Sequence, residues 1–291
     1  MLKKIRYLLE AIFVKFGIWF FGALNMQTAS DLAAVIAKFI GKKISVHKLA
    51  YQNISKAMPK LSEKEKEKIL DDMWDNLGRI VGEFPHVAGI ATNKTVSESI
   101  EISEETIENI KEFKKLNGGI IVSGHFGNWE VGQKFFLQQD MKAGTVYRPL
   151  NNPYVEKMIA SVRKVEMIEK NSGGNRRIIE IIKGGGVVVI LADQKVSEGE
   201  PIKFFHDDAI TTTSIARIAL RYNVPIIPAR IIRLGKEIKF RAELEKPLAI
   251  PQNSDVNLAI LALSRAINQR LEEWITEFPS QWFWVHNRWK K

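Results

Sequence analysis

A histidine and a glutamate lie five residues apart where the sequence predicts the end of a strand and the start of a helix. Residues 119–130 read Gly-Ile-Ile-Val-Ser-Gly-His-Phe-Gly-Asn-Trp-Glu, so an apolar run is followed directly by a glycine turn that carries His125. A carboxylate bonded to one imidazole nitrogen fixes the tautomer and leaves the other nitrogen free to accept a proton. The pattern therefore predicts that His125 is a general base oriented by Glu130. The alternative is a helix-capping carboxylate beside a partly buried histidine.

The residues between this pair have predicted roles of their own. Asn128 is expected to cap the helix that follows, because asparagine is a preferred N-cap residue. Gly124 and Gly127 carry no side chains, and we expect them to leave space for a substrate beside His125.

Three further polar residues follow predicted strands and could join the same site. Arg148 follows a strand that ends at Tyr147, and an arginine there can bind a phosphate or a carboxylate through two donors. A surface ion pair is the ordinary alternative. Asp193 and Gln194 follow an apolar strand and would lie beside His125 if the two strands are neighbours. The alternative is a strand-end turn, where aspartate is common.

The elements that must position these residues alternate between strands and helices. This order predicts an α/β fold, with a mostly parallel central sheet covered by helices on both faces. The carboxyl edge of such a sheet is where ligands bind. We expect residues 204–206 and 211–213 to lie in a loop before a helix, with Thr213 able to cap that helix, and Ser62 to begin a helix with a capping box. The predicted strands are 120–123, 144–147, 165–168, 187–192, 226–232 and 238–242, and the predicted helices are 130–139, 176–183, 214–222 and 255–277, with a further helix capped by Asn152.

The first 24 residues form an amphipathic segment with an aromatic face. On a helical wheel the apolar side chains share one face, and Lys3, Lys4, Arg6, Glu10 and Lys15 fall outside it. This pattern favours a helix that lies in a membrane interface. A tilted membrane span, a core helix and a cleaved signal peptide are the alternatives, the last weakened by the broken apolar core. The apolar face comprises Ile5, Leu9, Ile12, Phe13, Phe16, Trp19, Phe20 and Ala23.

Composition narrows the class of protein without choosing a function. The 291 residues are 45% hydrophobic and 26% charged, which is typical of a globular protein. The absence of cysteine excludes disulfides and thiolate metal sites, and the five histidines lack zinc-site spacing. The net charge of +10 favours an anionic partner such as nucleic acid, anionic lipid or an acidic protein. The alternating Trp and basic residues of 281–291 fit base stacking, a membrane boundary or a tail packed on the core.

Taken in order, these motifs resemble the lipid A late acyltransferase family, within the wider glycerolipid acyltransferase superfamily that carries a His-x4-Asp/Glu motif. The resemblance rests on residues 124–130, 147–149, 192–194, 204–205 with Thr211, and 281–289, and it covers nearly the whole chain. It implies acyl transfer from an acyl carrier protein thioester to a hydroxyl of a 3-hydroxyacyl chain on a phosphorylated, Kdo-bearing lipid A precursor. It also implies work at the cytoplasmic face of the inner membrane.

The family's catalytic pair maps onto His125 and Glu130, and its second-block arginine maps onto Arg148. We further expect Asp193, Gln194, Asn128 and Gly127 to contact substrate, and we expect no cofactor, no metal and no nucleic-acid partner. Glu10 and Lys15 depart from the membrane helix that the family would have.

The expected organisation is a membrane-associated helix at 1–26 and a single acyltransferase domain at 27–291. Within that domain, 27–115 is expected to be mostly helical and 116–291 to form the α/β core. Two other functions remain open at this point. One is an acyltransferase of the same type that acts on a lysophospholipid or another glycolipid, and the other is a non-catalytic basic protein that binds membrane or nucleic acid.

Overall fold

The computed structural model describes residues 2–87, 99–137, 142–163, 165–251 and 255–289. In the described part of the chain, four α-helices precede the first strand, and strands and helices then largely alternate. The helices are α1 Leu2–Ala23, α2 Met26–Gly41, α3 Ser45–Ala57, α4 Glu63–Glu83, α5 Glu104–Lys115, α6 Trp129–Leu137, α7 Pro153–Arg163, α8 Ser172–Lys183, α9 Ser214–Tyr222 and α10 Val256–Glu277. The strands are β1 Ile100–Ile102, β2 Gly119–Ser123, β3 Ala143–Tyr147, β4 Met167–Glu169, β5 Val187–Leu191, β6 Glu200–Phe204, β7 Asp207–Thr211, β8 Ile226–Arg233 and β9 Phe240–Leu244.

Seven of these strands form one sheet in the order β1-β9-β8-β2-β5-β3-β4. The neighbouring strands are parallel except for β8 and β9, which are antiparallel. The predicted α/β fold with a mostly parallel sheet is therefore confirmed. Because β2 and β5 are neighbours, the residues that follow them meet at the same edge of the sheet.

The sheet buries a separate apolar cluster on each face. Ile120 and Val122 of β2 contribute to one cluster, and Ile121, which points the opposite way, contributes to the other. The first cluster also takes in residues of α3, α4, α8, α9 and α10, and the second takes in residues of α5 and α6. Successive strand residues alternate between faces, so a run with no polar position is the pattern of a strand covered on both sides.

A hairpin occupies part of the region that the sequence assigned to a loop. Strands β6 and β7 pair antiparallel from Glu200–Thr211 to Phe204–Asp207, so the predicted loop is wrong for Phe204 and Thr211, which belong to the two strands. Pro201 near the start of β6 weakened the strand signal, because proline is disfavoured within strands. Thr213 directly precedes α9, but its side chain accepts a hydrogen bond from Arg217 and makes no cap contact.

Helix α4 packs closely on α2 and continues beneath the sheet edge. The two helices meet through small residues, and a Cβ atom at Gly82 would lie 2.2 Å from the carbonyl oxygen of Ala29. The predicted capping box holds the other end of α4, where Ser62 and Glu65 bond to each other's backbone amides. This packing fixes Glu83, the last residue of α4, under the loop that follows β2.

Helix α1 lies on the outside of the molecule with most of its apolar face exposed. Of its residues, only Ala11 is buried, so the alternative of a core helix is wrong. Asn152, which precedes α7, donates to the carbonyl oxygen of Tyr7 at 2.8 Å and to Glu10 at 3.0 Å. Across the described ranges, no helix combines the length and the apolarity that crossing a membrane requires.

Candidate active site

The loop between β2 and α6 carries His125 and is shaped by Gly127. Gly127 has a φ of +55°, and a Cβ atom there would lie 1.9 Å from the carbonyl oxygen of Ile231. Its amide donates to the carbonyl oxygen of Gln281 at 2.9 Å. Only glycine fits this position. The space beside Gly127 is thus filled by protein, contrary to the prediction that it receives substrate.

Asn128 caps α6, as predicted, and is wholly buried. Its side-chain oxygen accepts from the amides of Glu130 and Val131, each at 3.2 Å, and its side-chain nitrogen donates to Glu83 at 2.6 Å. Both ends of the amide are therefore occupied within the protein. The structure gives Asn128 a role in fixing the loop, in place of the predicted contact with substrate.

Asp193 holds the His125 side chain. One carboxylate oxygen lies 2.9 Å from Nδ1 of His125, and the other accepts from the His125 backbone amide at 2.8 Å. Asp193 is fully buried. Burial acts to raise its pKa, but the charge of His125 and the hydrogen bonds from it outweigh burial and hold the pKa well below its ordinary value. Asp193 is therefore an anion that fixes Nδ1 of His125 as the protonated nitrogen.

Glu130 does not orient His125, and this part of the prediction is wrong. Its carboxylate accepts from Nε and Nη2 of Arg163 at 2.9 and 2.6 Å, and from the indole of Trp129 at 3.2 Å. The Trp129 ring in turn lies edge-on to the His125 ring, with centroids 5.2 Å apart. Glu130 thus contacts the imidazole only through Trp129. Spacing along the chain could not show that Asp193, 68 residues further on, takes the position beside Nδ1.

The other imidazole nitrogen, Nε2, lies on the solvent side of the site. The His125 side chain is 17% exposed, and the side-chain amide of Gln194 lies 3.2 Å from Nε2. The strand order brings Asp193 and Gln194 beside His125, as predicted for neighbouring strands. With Nδ1 bonded to Asp193, Nε2 carries the lone pair, and the exposed Gln194 amide donates to it.

The C-terminal segment packs behind this pair, which confirms the alternative of a tail packed on the core. Trp282 donates from its indole to Asp193 at 2.8 Å, and the His286 ring lies 6.4 Å from the His125 ring. Burial lowers the pKa of His286 to about 4, so its ring is neutral near pH 7. Sequence reasoning missed Trp282, His286 and Arg163 as parts of the site. Only the Trp-rich pattern of 282–289 marked the first two.

Two cations lie further along the same sheet edge. Arg148 follows β3 and Lys170 follows β4, and the backbone amide of Lys170 donates to the carbonyl oxygen of Tyr147 at 2.9 Å. Partial burial and the positive charge of Arg148 both lower the pKa of Lys170. Because the two positive charges repel each other, an anion bound between them would be stabilised by both.

Comparison with known proteins identifies the type of enzyme. The sequence model of the bacterial lipid A biosynthesis acyltransferases matches residues 1–291. The chain belongs to this family. The acyltransferase is 26% identical over 269 residues to the lipid A biosynthesis palmitoleoyltransferase of Escherichia coli (strain K12), covering 89% of this chain and 82% of that protein. It is 25% identical over 254 residues to the lauroyltransferase of the same organism, covering 84% and 78%.

The family match identifies the chain as an acyltransferase. It supports lipid A acylation and excludes the hypothesis of a non-catalytic binding protein. In this acyltransferase, a buried anion holds one imidazole nitrogen while the other faces solvent, which is the arrangement required of a base that removes a proton from a hydroxyl.

Proposed function

We propose that this acyltransferase moves a fatty acyl chain from an acyl carrier protein thioester to a hydroxyl of a 3-hydroxyacyl chain on a Kdo-lipid A precursor. His125 is the general base and Asp193 orients it. The observation that carries the proposal is that a buried carboxylate holds Nδ1 of His125, while Nε2 meets the exposed side-chain amide of Gln194, which an acceptor can displace. The family match supports the lipid A part of the substrate.

The chemistry proceeds by direct attack. The acceptor hydroxyl takes the place of Gln194 at Nε2 of His125 and attacks the thioester carbonyl carbon, while its proton passes to Nε2. The carbon–sulfur bond breaks, and the thiolate of the carrier's pantetheine arm leaves with the bonding electrons. The imidazolium, stabilised by Asp193, then returns the proton to the sulfur. No covalent enzyme intermediate and no cofactor enter this sequence.

Arg148 and Lys170 would bind the acceptor's phosphate. They lie at the carboxyl ends of β3 and β4, in the same sheet edge as His125 after β2 and Asp193 after β5. Two cations placed so close to each other favour an anionic ligand. The chain's net charge of +10 likewise suits both a phosphorylated lipid and an acidic carrier protein.

An exposed apolar surface next to the site supports work at a membrane. Ile5, Leu9, Ile12, Phe13, Phe16 and Trp19 of α1 are 48–77% exposed, and Val35 and Phe39 of α2 are each 67% exposed. Leu150 and Tyr154, which flank Asn152, are also exposed. Patches of this kind mark interaction surfaces in soluble proteins, and aromatic residues beside lysines are typical of interfacial helices. We propose the cytoplasmic face of the inner membrane as the location.

The base assignment is tested by replacing His125. His125→Ala should fold and bind vesicles normally, yet lose acyl transfer by roughly 10²- to 10⁴-fold, the usual contribution of a general base. Asp193→Asn should fall in the same range, because an amide cannot stabilise the imidazolium. The measurement is the transfer of labelled acyl chains from acyl carrier protein to purified lipid A precursor, read by mass spectrometry.

His206→Ala is the matched control, since His206 is exposed in the turn between β6 and β7. Wild-type turnover by His125→Ala would refute the base assignment. Transfer to a lysophospholipid in preference to the lipid A precursor would instead favour the other acceptor and leave His125 in place.

A further inference from the structure

We infer that Trp282 is a positioning residue that sets the Asp193–His125 pair for acyl transfer. The inference rests on the proposed role of His125 as the base. The Trp282 indole donates to the buried carboxylate of Asp193 and not to the imidazole. The inference is based on geometry, since Trp282 belongs to the C-terminal segment and its indole reaches the buried carboxylate of Asp193.

Residues 281–283 hold the His125 loop through its backbone. Phe126 and Trp282 form an antiparallel bridge, in which the Gly127 amide donates to Gln281 at 2.9 Å and the Phe283 amide donates to His125 at 3.1 Å. These bonds tie the backbone on both sides of Phe126 to the C-terminal segment. The loop is therefore held between the strand that supplies Asp193 and the segment that supplies Trp282.

The Trp282 indole also fixes the orientation of the carboxylate. One oxygen of Asp193 accepts two bonds, from the Trp282 indole and from the His125 backbone amide, each at 2.8 Å. This leaves the other oxygen for Nδ1 of His125 at 2.9 Å. With two donors on one oxygen, rotation of the carboxylate would break both bonds, so the indole and the amide together select the rotamer that faces the imidazole.

The indole is itself rigidly held. Trp282 is 1% exposed and packs edge-on against Trp284 and His286, with ring centroids 4.6 and 4.9 Å away. Its surroundings are anchored in turn, because Gln281 exchanges two hydrogen bonds with the backbone of Arg233, at 2.8 and 3.0 Å. A donor fixed in this way adds to preorganisation of the site, since it requires no rearrangement during the reaction.

Removal of the indole N–H should change how the carboxylate holds the base. The titratable and charged groups that face Asp193 are His125 from the β2 loop, with His286 and Arg288 from the C-terminal segment. Of these, Arg288 donates to the carbonyl oxygen of Ile210 and to Thr211, and so is held by β7. Without this donor, the His125 backbone amide alone would hold that oxygen, and the carboxylate could turn away from Nδ1.

The test compares Trp282→Phe with Trp284→Phe. Phenylalanine keeps an aromatic ring and removes the donor. Trp284 is the matched control, because it is equally buried in the same cluster and its indole donates elsewhere, to the carbonyl oxygen of Pro279 at 2.7 Å. Trp282→Phe should lower kcat roughly 10- to 100-fold with little change in KM, as misplacement of a reacting group does.

Thermal melting of both variants detects a packing defect, because loss of packing alone would lower the melting temperature of both. If Trp282→Phe fails to fold, a benzothienyl-alanine at position 282 keeps the shape of the indole and replaces only the N–H, and the same fall in kcat is expected. Equal kcat values for the two phenylalanine variants, or for the benzothienyl enzyme and wild type, would overturn the inference. His125→Ala separates the two claims: active His125→Ala refutes the proposed base, whereas inactive His125→Ala with a normal Trp282→Phe refutes only the role of Trp282.

Discussion

At the scale of single residues, the site combines two histidines that differ in their environment. His125 has a buried anion at one nitrogen and an exposed position at the other. His286 has no hydrogen-bond partner for either ring nitrogen among the described residues, and burial lowers its pKa to about 4. A buried neutral imidazole without partners costs stability when it must take up a proton.

His286 should make the fold sensitive to acid. Its pKa is about 4 in the folded chain and near 6.5 when unfolded, so the unfolded state takes up a proton first as the pH falls. The free energy of unfolding is therefore highest above pH 6.5 and falls by about 3 kcal/mol as the pH drops from 6.5 to 4. His286→Phe should remove this decline, as measured by urea unfolding at several pH values between 7.5 and 4.5.

His206→Phe serves as the control, because His206 is exposed and should leave the acid dependence unchanged. An equally steep loss of stability in His286→Phe would assign the acid sensitivity to other groups.

At the scale of elements, a buried ion pair joins α4 to β8 beneath the His125 loop. Arg233 of β8 donates to Glu83 of α4 at 2.6 Å, and both side chains are buried. Glu83 also accepts from Ser30 of α2 and from Asn128, the residue that caps α6. One carboxylate therefore connects the N-terminal helices to the loop that presents the base.

Glu83→Ala should destabilise the protein by about 3–5 kcal/mol, because it leaves the Arg233 charge buried without its partner. The fall in free energy of unfolding is measured by denaturant titration. Glu237→Ala, which removes an exposed partner of Lys239, should change it by less than about 1 kcal/mol. Equal losses in the two variants would mean that the buried pair adds nothing beyond a surface contact.

The sequence predicted the elements of this region better than their contacts. Apolar runs located β2, β3, β5 and β8 within one or two residues, because strands buried on both faces need unbroken apolar sequence. The neighbouring strands then placed Asp193 and Gln194 beside His125, as expected. The partner of Glu130 could not be predicted, since Arg163 lies 33 residues away and its pairing depends on how α6 and α7 pack. The hairpin of β6 and β7 was missed because a proline interrupts its short pattern.

At the scale of the whole molecule, the exposed apolar side chains concentrate at the N-terminal helices. Phe13 and Phe16 of α1 are 77% and 57% exposed, although large aromatic residues are normally buried. Because α1 contacts Asn152, which follows Arg148 by four residues, a membrane under α1 would lie close to the sheet edge that carries the site.

The double variant Phe13→Ser, Phe16→Ser should bind vesicles at least roughly 10²-fold more weakly, since each buried phenylalanine contributes about 1.5–3 kcal/mol. Flotation with phosphatidylglycerol-containing vesicles measures the change. The control is Ile107→Ser, Leu116→Ser, which removes two side chains that are each 42% exposed at α5. Unaltered flotation of the α1 variant would place the membrane contact elsewhere.

The position of the Gln194 amide has a consequence for hydrolysis of the acyl donor. With that amide seated on Nε2 of His125, the lone pair is already engaged in the resting enzyme. A stray water must compete with it before it can be activated, whereas a tightly bound acceptor displaces it with the help of its remaining contacts. With the thioester donor proposed above, the donor should therefore survive on the enzyme until the lipid arrives, and its hydrolysis in the absence of acceptor should be slow.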